Sequence, residues 1–145
     1  RDAAALLQHV APRLGYDRFT SIHAEDGLDE VSLSSATWLH EYRDGIAPSE
    51  PIRFDPDVLG LDLHSPESFA GGDAVRNAQI LRGILLGTAE PAQRDIALLN
   101  AAFAIQAARD PSTLGECLEA ARESLHSGAA ASKWRDLAEA SRSVG

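Results

Sequence analysis

Apolar side chains recur every three or four positions at Leu6, Leu7, Val10 and Leu14, which predicts a helix over residues 2–14 that stops at Gly15. Pro12 lies inside that pattern and should kink or shorten the last turn, because it has no N–H to donate. The period then shortens. Residues 18–23 are rich in Phe, Thr and Ile and read as a strand, followed by the polar turn Ala24-Glu25-Asp26-Gly27. Residues 37–42 alternate, with Trp38, His40 and Tyr42 expected on one face and Leu39 on the other. Asp44-Gly45 is a strong turn signal, and residues 51–54 form a second short strand. This stretch reads as a β-ribbon with a longer loop through Pro48-Ser49.

From Ser65 onward the period is helical. Ser65-Pro66 has the form of an N-cap followed by proline at the first helical position. Gly71-Gly72-Asp73 opens a helix with the apolar stripe Val75, Ala78, Leu81 and Leu85, ended by Gly87. Residues 94–108 are apolar almost all round, which predicts a central, buried helix. Thr113-Leu114-Gly115-Glu116 reads as a capping box. Leu114, Leu118, Ala121 and Leu125 form the next inward stripe, closed by Gly128, and residues 129–141 form a last helix carrying Trp134 and Leu137. The fold class is α/β: short strands first, a helical half after them, in one domain without internal repeat or linker.

A chain of 145 residues, 44% hydrophobic and 24% charged, has the composition of a folded domain with a real core. Its net charge of −9 disfavours a generic nucleic-acid surface or an anionic membrane as partner, since both need a basic face. No apolar run approaches the length of a spanning helix. The single cysteine, Cys117, has no internal partner and fits a reducing, cytoplasmic setting. The chain holds no methionine and starts at Arg1, as a processed protein or a piece of a longer one would.

Candidate chemistry concentrates in His23-Ala24-Glu25-Asp26-Gly27-Leu28-Asp29-Glu30, directly after a strand, where α/β sheets place their ligands. Adjacent Asp29 and Glu30 offer hard oxygen donors suited to Mg²⁺, which keeps several waters and completes its shell with substrate phosphates. The bland reading of the same residues is a solvated acidic turn in an acidic protein. His23 is a weaker candidate, for a base or a ligand, and otherwise a hydrogen-bonded structural histidine. Asn77 and Asn100 lie within apolar helices and read first as amides fastening backbone. Gly71-Gly72-Asp73 is better suited to capping than to anion binding, and Cys117, on an apolar stripe, to packing.

The same acidic run, continued by Val31-Ser32, resembles the His-Gly-x-Asp-Gly-Leu-Asp-Glu stretch of anthranilate phosphoribosyltransferases. The similarity continues in order through Thr37, Glu41-Tyr42-Arg43-Asp44-Gly45, Phe54-Asp55-Pro56, Gly71-Gly72-Asp73, Asn77-Ala78, Arg94-Asp95, Leu99-Asn100-Ala101-Ala102 and Ser127-Gly128-Ala129-Ala130. The resemblance implies part of the large α/β domain of a nucleoside phosphorylase/phosphoribosyltransferase-type fold. It also implies an enzyme of tryptophan biosynthesis that joins anthranilate to phosphoribosyl pyrophosphate with Mg²⁺. Asp29 and Glu30 match the pair that family members use for the metal, so the functional reading of the acidic turn gains over the bland one.

No catalytic residue is assigned within this stretch. The match is to the C-terminal part of the family, which implies that the N-terminal helical domain, the family's dimer surface and the glycine-rich phosphoribosyl pyrophosphate loop lie outside these residues, and that the stretch alone is inactive. Departures include Ala24 for the family's glycine, Ser34-Ser35-Ala36-Thr37 without the usual glycine, and His126 where aspartate is common. Two further readings stand beside this one: a related nucleoside phosphorylase, and a non-catalytic interaction domain derived from the transferase.

Overall fold

The computed structural model describes residues 2–108 and 112–143. Helix α1 (Asp2–Val10) tightens into a 3-10 turn at Ala11–Leu14, where Pro12 takes a position that requires no donor. Gly15 closes it in the left-handed region at φ 83° and donates to the Pro12 carbonyl at 3.1 Å. Proline thus shortens the helix as its sequence position implies.

Three strands follow: β1 (Arg18–Ala24), β2 (Thr37–Arg43) and β3 (Ile52–Phe54), antiparallel in the order β1-β2-β3. The register pairs Ile22 with Leu39 and Ser21 with His40. Asp44 and Gly45 turn the chain with φ of 49° and 89°, and Arg43 and Ile46 exchange both backbone hydrogen bonds at 2.9 Å. Positive φ at two successive positions is what this tight turn demands, and Asp-Gly supplies it at low cost.

Strand β2 alternates as expected and buries Leu39 on one face and His40 on the other, because α1 covers the second face. The Ser21 hydroxyl, on the His40 side of the sheet, donates to the Ala4 carbonyl of α1 at 2.9 Å.

The helical half comprises α2 (Ala74–Leu86), α3 (Pro91–Ala108), α4 (Leu114–His126) and α5 (Ala129–Ser143). Helix α3 is the central one, packing against α4, α2 and β1. Leu98, Leu99 and Ala102 of α3 join Leu39, Phe54, Val31, Leu33 and Leu118 in one core. Phe54 meets Phe103 edge-on at 5.1 Å. Each fully enclosed leucine here contributes about 1.5–3 kcal/mol. Cys117 is buried in this core, as a small apolar residue would be. Thr113 and Glu116 form the expected capping box, each side chain reaching the other's backbone N–H.

Two expectations fail. Ser65-Pro66 opens only a 3-10 turn (Pro66–Phe69), with no cap hydrogen bond from Ser65 to the backbone. The stripe on α2 does not face the core: Val75 is 68% exposed and Leu81 41%. Helix α2 touches α3 and α5; its Gly83 lies against Ala89 in the turn before α3, and its Arg82 stacks 6.0 Å over the Trp134 ring of α5. Leu137 of α5 likewise remains exposed. Among the described residues no helix is long and apolar enough to cross a membrane.

Candidate metal site

Residues 25–36 form the loop between β1 and β2, and its four carboxylates have different surroundings. Glu25 pairs with Arg53 of β3 at 3.3 Å, and Arg53 also reaches Asp55. Asp26 folds inward: Oδ2 accepts from the Ser32 hydroxyl at 2.6 Å and from the Ser34 hydroxyl, and Oδ1 from the Leu28 N–H at 3.2 Å. Its own N–H donates to the Ser35 hydroxyl. Burial opposes ionisation of Asp26, but the hydrogen bonds from Ser32, Ser34, Leu28 and Ser35 outweigh it and hold the carboxyl below its ordinary value.

Asp29 and Glu30 are the remainder. Both are exposed, and no ion pair among the described residues neutralises either. Glu30 is raised above its ordinary value, first by burial, then by the negative charge of Asp29 and by a hydrogen bond between the two carboxyl groups; its own backbone N–H offsets this in part. Two crowded carboxylates repel each other, and a divalent ion bound between them would relieve that repulsion.

The donor set fits Mg²⁺. Among the described residues no three His, Cys, Asp or Glu side chains gather into a closed metal cage. Two oxygen donors at a solvent-facing loop leave the remaining positions for water and phosphate oxygens, as Mg²⁺ prefers.

The loop is held from two sides. Asn100 of α3 accepts from the Val31 N–H at 2.9 Å and donates to the Val31 carbonyl at 2.9 Å and to the Ile96 carbonyl at 3.0 Å. Thr37, fully buried at the start of β2, accepts from the Ser32 N–H at 3.2 Å. Gly27 turns the loop at φ 91°, a conformation glycine adopts without strain. Ala24 is fully enclosed at the end of β1.

The sequence points to the fastening role of Asn100 but not to its partner, and it assigns no bonding role to Ser32, Ser34, Ser35, Thr37 or Arg53. A serine-rich stretch six to nine residues after an aspartate was a visible signal for local hydroxyl–carboxylate bonds. The Glu25–Arg53 pair needed the strand register. His23 is not brought to the acidic pair: strand alternation puts it on the α1 side of the sheet opposite Trp38, whereas the loop is fastened to α3 on the other side.

Asn77 is exposed, not buried, yet it fastens as expected, accepting from the Gly72 N–H at 2.8 Å and donating to the Gly72 carbonyl at 3.0 Å. A Cβ at Gly71 would lie 2.7 Å from its Oδ1. Asp73 caps α2 by accepting from the Arg76 N–H at 2.8 Å, the capping role its sequence position suggests. A cleft of about 890 Å³ opens elsewhere, among Leu85, Arg94, Leu98, Arg122, Leu125 and Arg135, and no residue of the acidic loop lines it.

Residues 1–131 match the family profile described as "Glycosyl transferase family, a/b domain". The anthranilate phosphoribosyltransferase of Salinibacter ruber is 40% identical over 143 residues, covering 96% of this chain and 41% of that protein. Anthranilate phosphoribosyltransferase 2 of Streptomyces coelicolor is 40% identical over 131 residues, 90% of this chain and 38% of its own. Among solved structures, anthranilate phosphoribosyltransferase from Thermus thermophilus matches with a TM-score of 0.75 and 28% identity over 88% of this chain and 36% of that one. The Saccharomyces cerevisiae enzyme in complex with PRPP and Mg matches with a TM-score of 0.65 and 27% identity over 75% and 31%. The chain therefore spans about two-fifths of the length of the curated relatives it matches. A profile match over most of the length, on a chain with a three-stranded sheet backed by a central helix, establishes that this chain belongs to the family described as glycosyl transferase family, a/b domain.

Proposed function

We propose that this chain forms one wall of the active site of an anthranilate phosphoribosyltransferase, with Asp29 and Glu30 as its Mg²⁺ ligands. The observation that carries the reading is the division of labour in the loop. Glu25 is neutralised by Arg53 and Asp26 is engaged by hydroxyls, while Asp29 and Glu30 crowd each other without a cation. Similarity to an enzyme solved with PRPP and Mg supports it.

In the reaction, the anthranilate amine forms a C–N bond at the ribose C1 as the C–O bond to pyrophosphate breaks, and an amine proton is released. A bound Mg²⁺ supplies charge neutralisation for the departing pyrophosphate. The chain's own part is to hold two carboxylates at fixed spacing on a loop whose backbone is tied to α3 and β2. Positioning of this kind accounts for much of the rate in group transfer, because the entropic cost of alignment is met before the reaction.

The test uses the intact protein. Asp29→Ala and Glu30→Ala are each expected to lower Mg²⁺-dependent consumption of anthranilate with phosphoribosyl pyrophosphate at least about a hundredfold, the scale on which charge-stabilising groups act. The circular dichroism spectrum should not change. Wild-type turnover in both variants would exclude the pair as metal ligands.

A further inference from the structure

Resting on that reading, we propose that Asn100 is a positioning residue for the metal pair, setting the presentation of Asp29 and Glu30 from the central helix without touching the ion. Three observations converge. The amide of Asn100 takes both backbone groups of Val31, the residue immediately after the pair, at 2.9 Å each, across a separation of 69 residues. Its remaining N–H is spent on the Ile96 carbonyl one helical turn back, which fixes the side-chain rotation. Both anchor points belong to the rigid centre of the molecule: Val31 is fully buried, and so is Leu99, the neighbour of Asn100 on α3.

Holding Val31 at one point fixes where the chain leaves the pair. The second restraint is Asp26, which takes the Leu28 N–H, the Ser32 hydroxyl and the Ser34 hydroxyl from both sides of the pair. Together they leave Asp29 and Glu30 as the outward-facing part of a loop pinned before and after them. A backbone restrained in this way loses less freedom when a cation draws two like charges together, and groups beyond the first ligands commonly change metal affinity tenfold to a hundredfold. An asparagine serves here because one planar group supplies an acceptor and two donors. Leucine or alanine would leave the buried Val31 N–H and carbonyl without partners.

Asn77 supplies an internal comparison. It takes the N–H and carbonyl of Gly72 in the same manner, but beside α2 and on a different segment of the chain. A general loosening of the fold would follow from removing either amide; a change in metal affinity would follow only from Asn100.

The experiment is a Mn²⁺ titration of the intact protein, followed by loss of the free-ion electron paramagnetic resonance signal, with Mn²⁺ as the probe for the Mg²⁺ site. Asn100→Ala is expected to raise the Kd for Mn²⁺ about tenfold, whereas Asn77→Ala leaves it at the wild-type value. Asn100→Gln keeps the amide but overshoots Val31 by one methylene, so it is expected to weaken binding in the same direction, and it carries the test if Asn100→Ala does not fold. A wild-type Kd in a folded Asn100 variant overturns the positioning role, as does an equal loss in Asn77→Ala. Asp29→Ala in the same titration separates the two levels. If it binds Mn²⁺ as the wild type does, the metal reading itself fails, and the role of Asn100 falls with it.

Discussion

Removing the Asp26 carboxylate tests the electrostatics of the loop directly. In the folded protein Asp26 accepts from Ser32 Oγ at 2.6 Å, from Ser34 Oγ and from the Leu28 N–H at 3.2 Å. Hydrogen bonds to a charged group contribute about 1.5–3 kcal/mol each when enclosed. Asp26 itself is exposed, so solvent screens much of this, and Ser32 and Ser34 retain a 3.0 Å contact with each other after its loss. Asp26→Ala is therefore expected to cost about 1–2 kcal/mol at neutral pH rather than the sum of three bonds.

The sign with pH follows from the depressed carboxyl. Between its folded value and the unfolded value of 3.8 the unfolded chain binds more protons, so the contribution is complete well above 3.8 and is lost as pH falls through the folded value. Urea unfolding of wild type and Asp26→Ala at a series of pH values from about 7 to 3 reads this difference. The gap should hold constant down to about pH 5 and then close. A gap that persists unchanged at the acid end would mean that packing or backbone geometry, and not the ionised carboxylate, holds the loop.

Two further outcomes follow from burial and charge. Glu30 has the opposite sign: its raised folded value means that ionisation costs the folded state stability as pH rises from 4.5 upward. Glu30→Gln should raise the thermal midpoint at pH 7, and added Mg²⁺ should raise that of the wild type but not of the variant; differential scanning fluorimetry with and without 10 mM-scale (about 10 mM) MgCl₂ reads both. Leu99→Ala, at a fully enclosed position beside Leu98 and Ala102, should cost about 3–4 kcal/mol in urea unfolding, whereas Leu137→Ala, at a side chain 67% exposed, should stay within about 0.5 kcal/mol.

The legible parts of the fold were those set by local chemistry. Pro12 before Gly15, Asp44-Gly45 and the Thr113–Glu116 box each act within a few residues, and each appears where the sequence puts it. What failed depended on neighbours. The α2 stripe has the right period but leaves Val75 and Leu81 exposed, and periodicity states which residues share a face without stating what covers it. His40 is buried because α1 returns over β2, a fact of topology that alternation in β2 does not contain.

The acidic loop divides along the same line. Its composition offers four carboxylates within six positions, and composition alone cannot rank them. Ranking requires knowing that β3 carries Arg53 alongside Glu25, that the serines after the pair fold back onto Asp26, and that a helix 69 residues later supplies the amide for Val31. Each partner removes one carboxylate from contention or fixes the backbone around the remaining two. The proposed site is thus defined as much by what its neighbours neutralise as by what they leave: a carboxylate that has found an arginine or two hydroxyls is satisfied, and on that proposal the remaining crowded pair is where a cation would lower the free energy most.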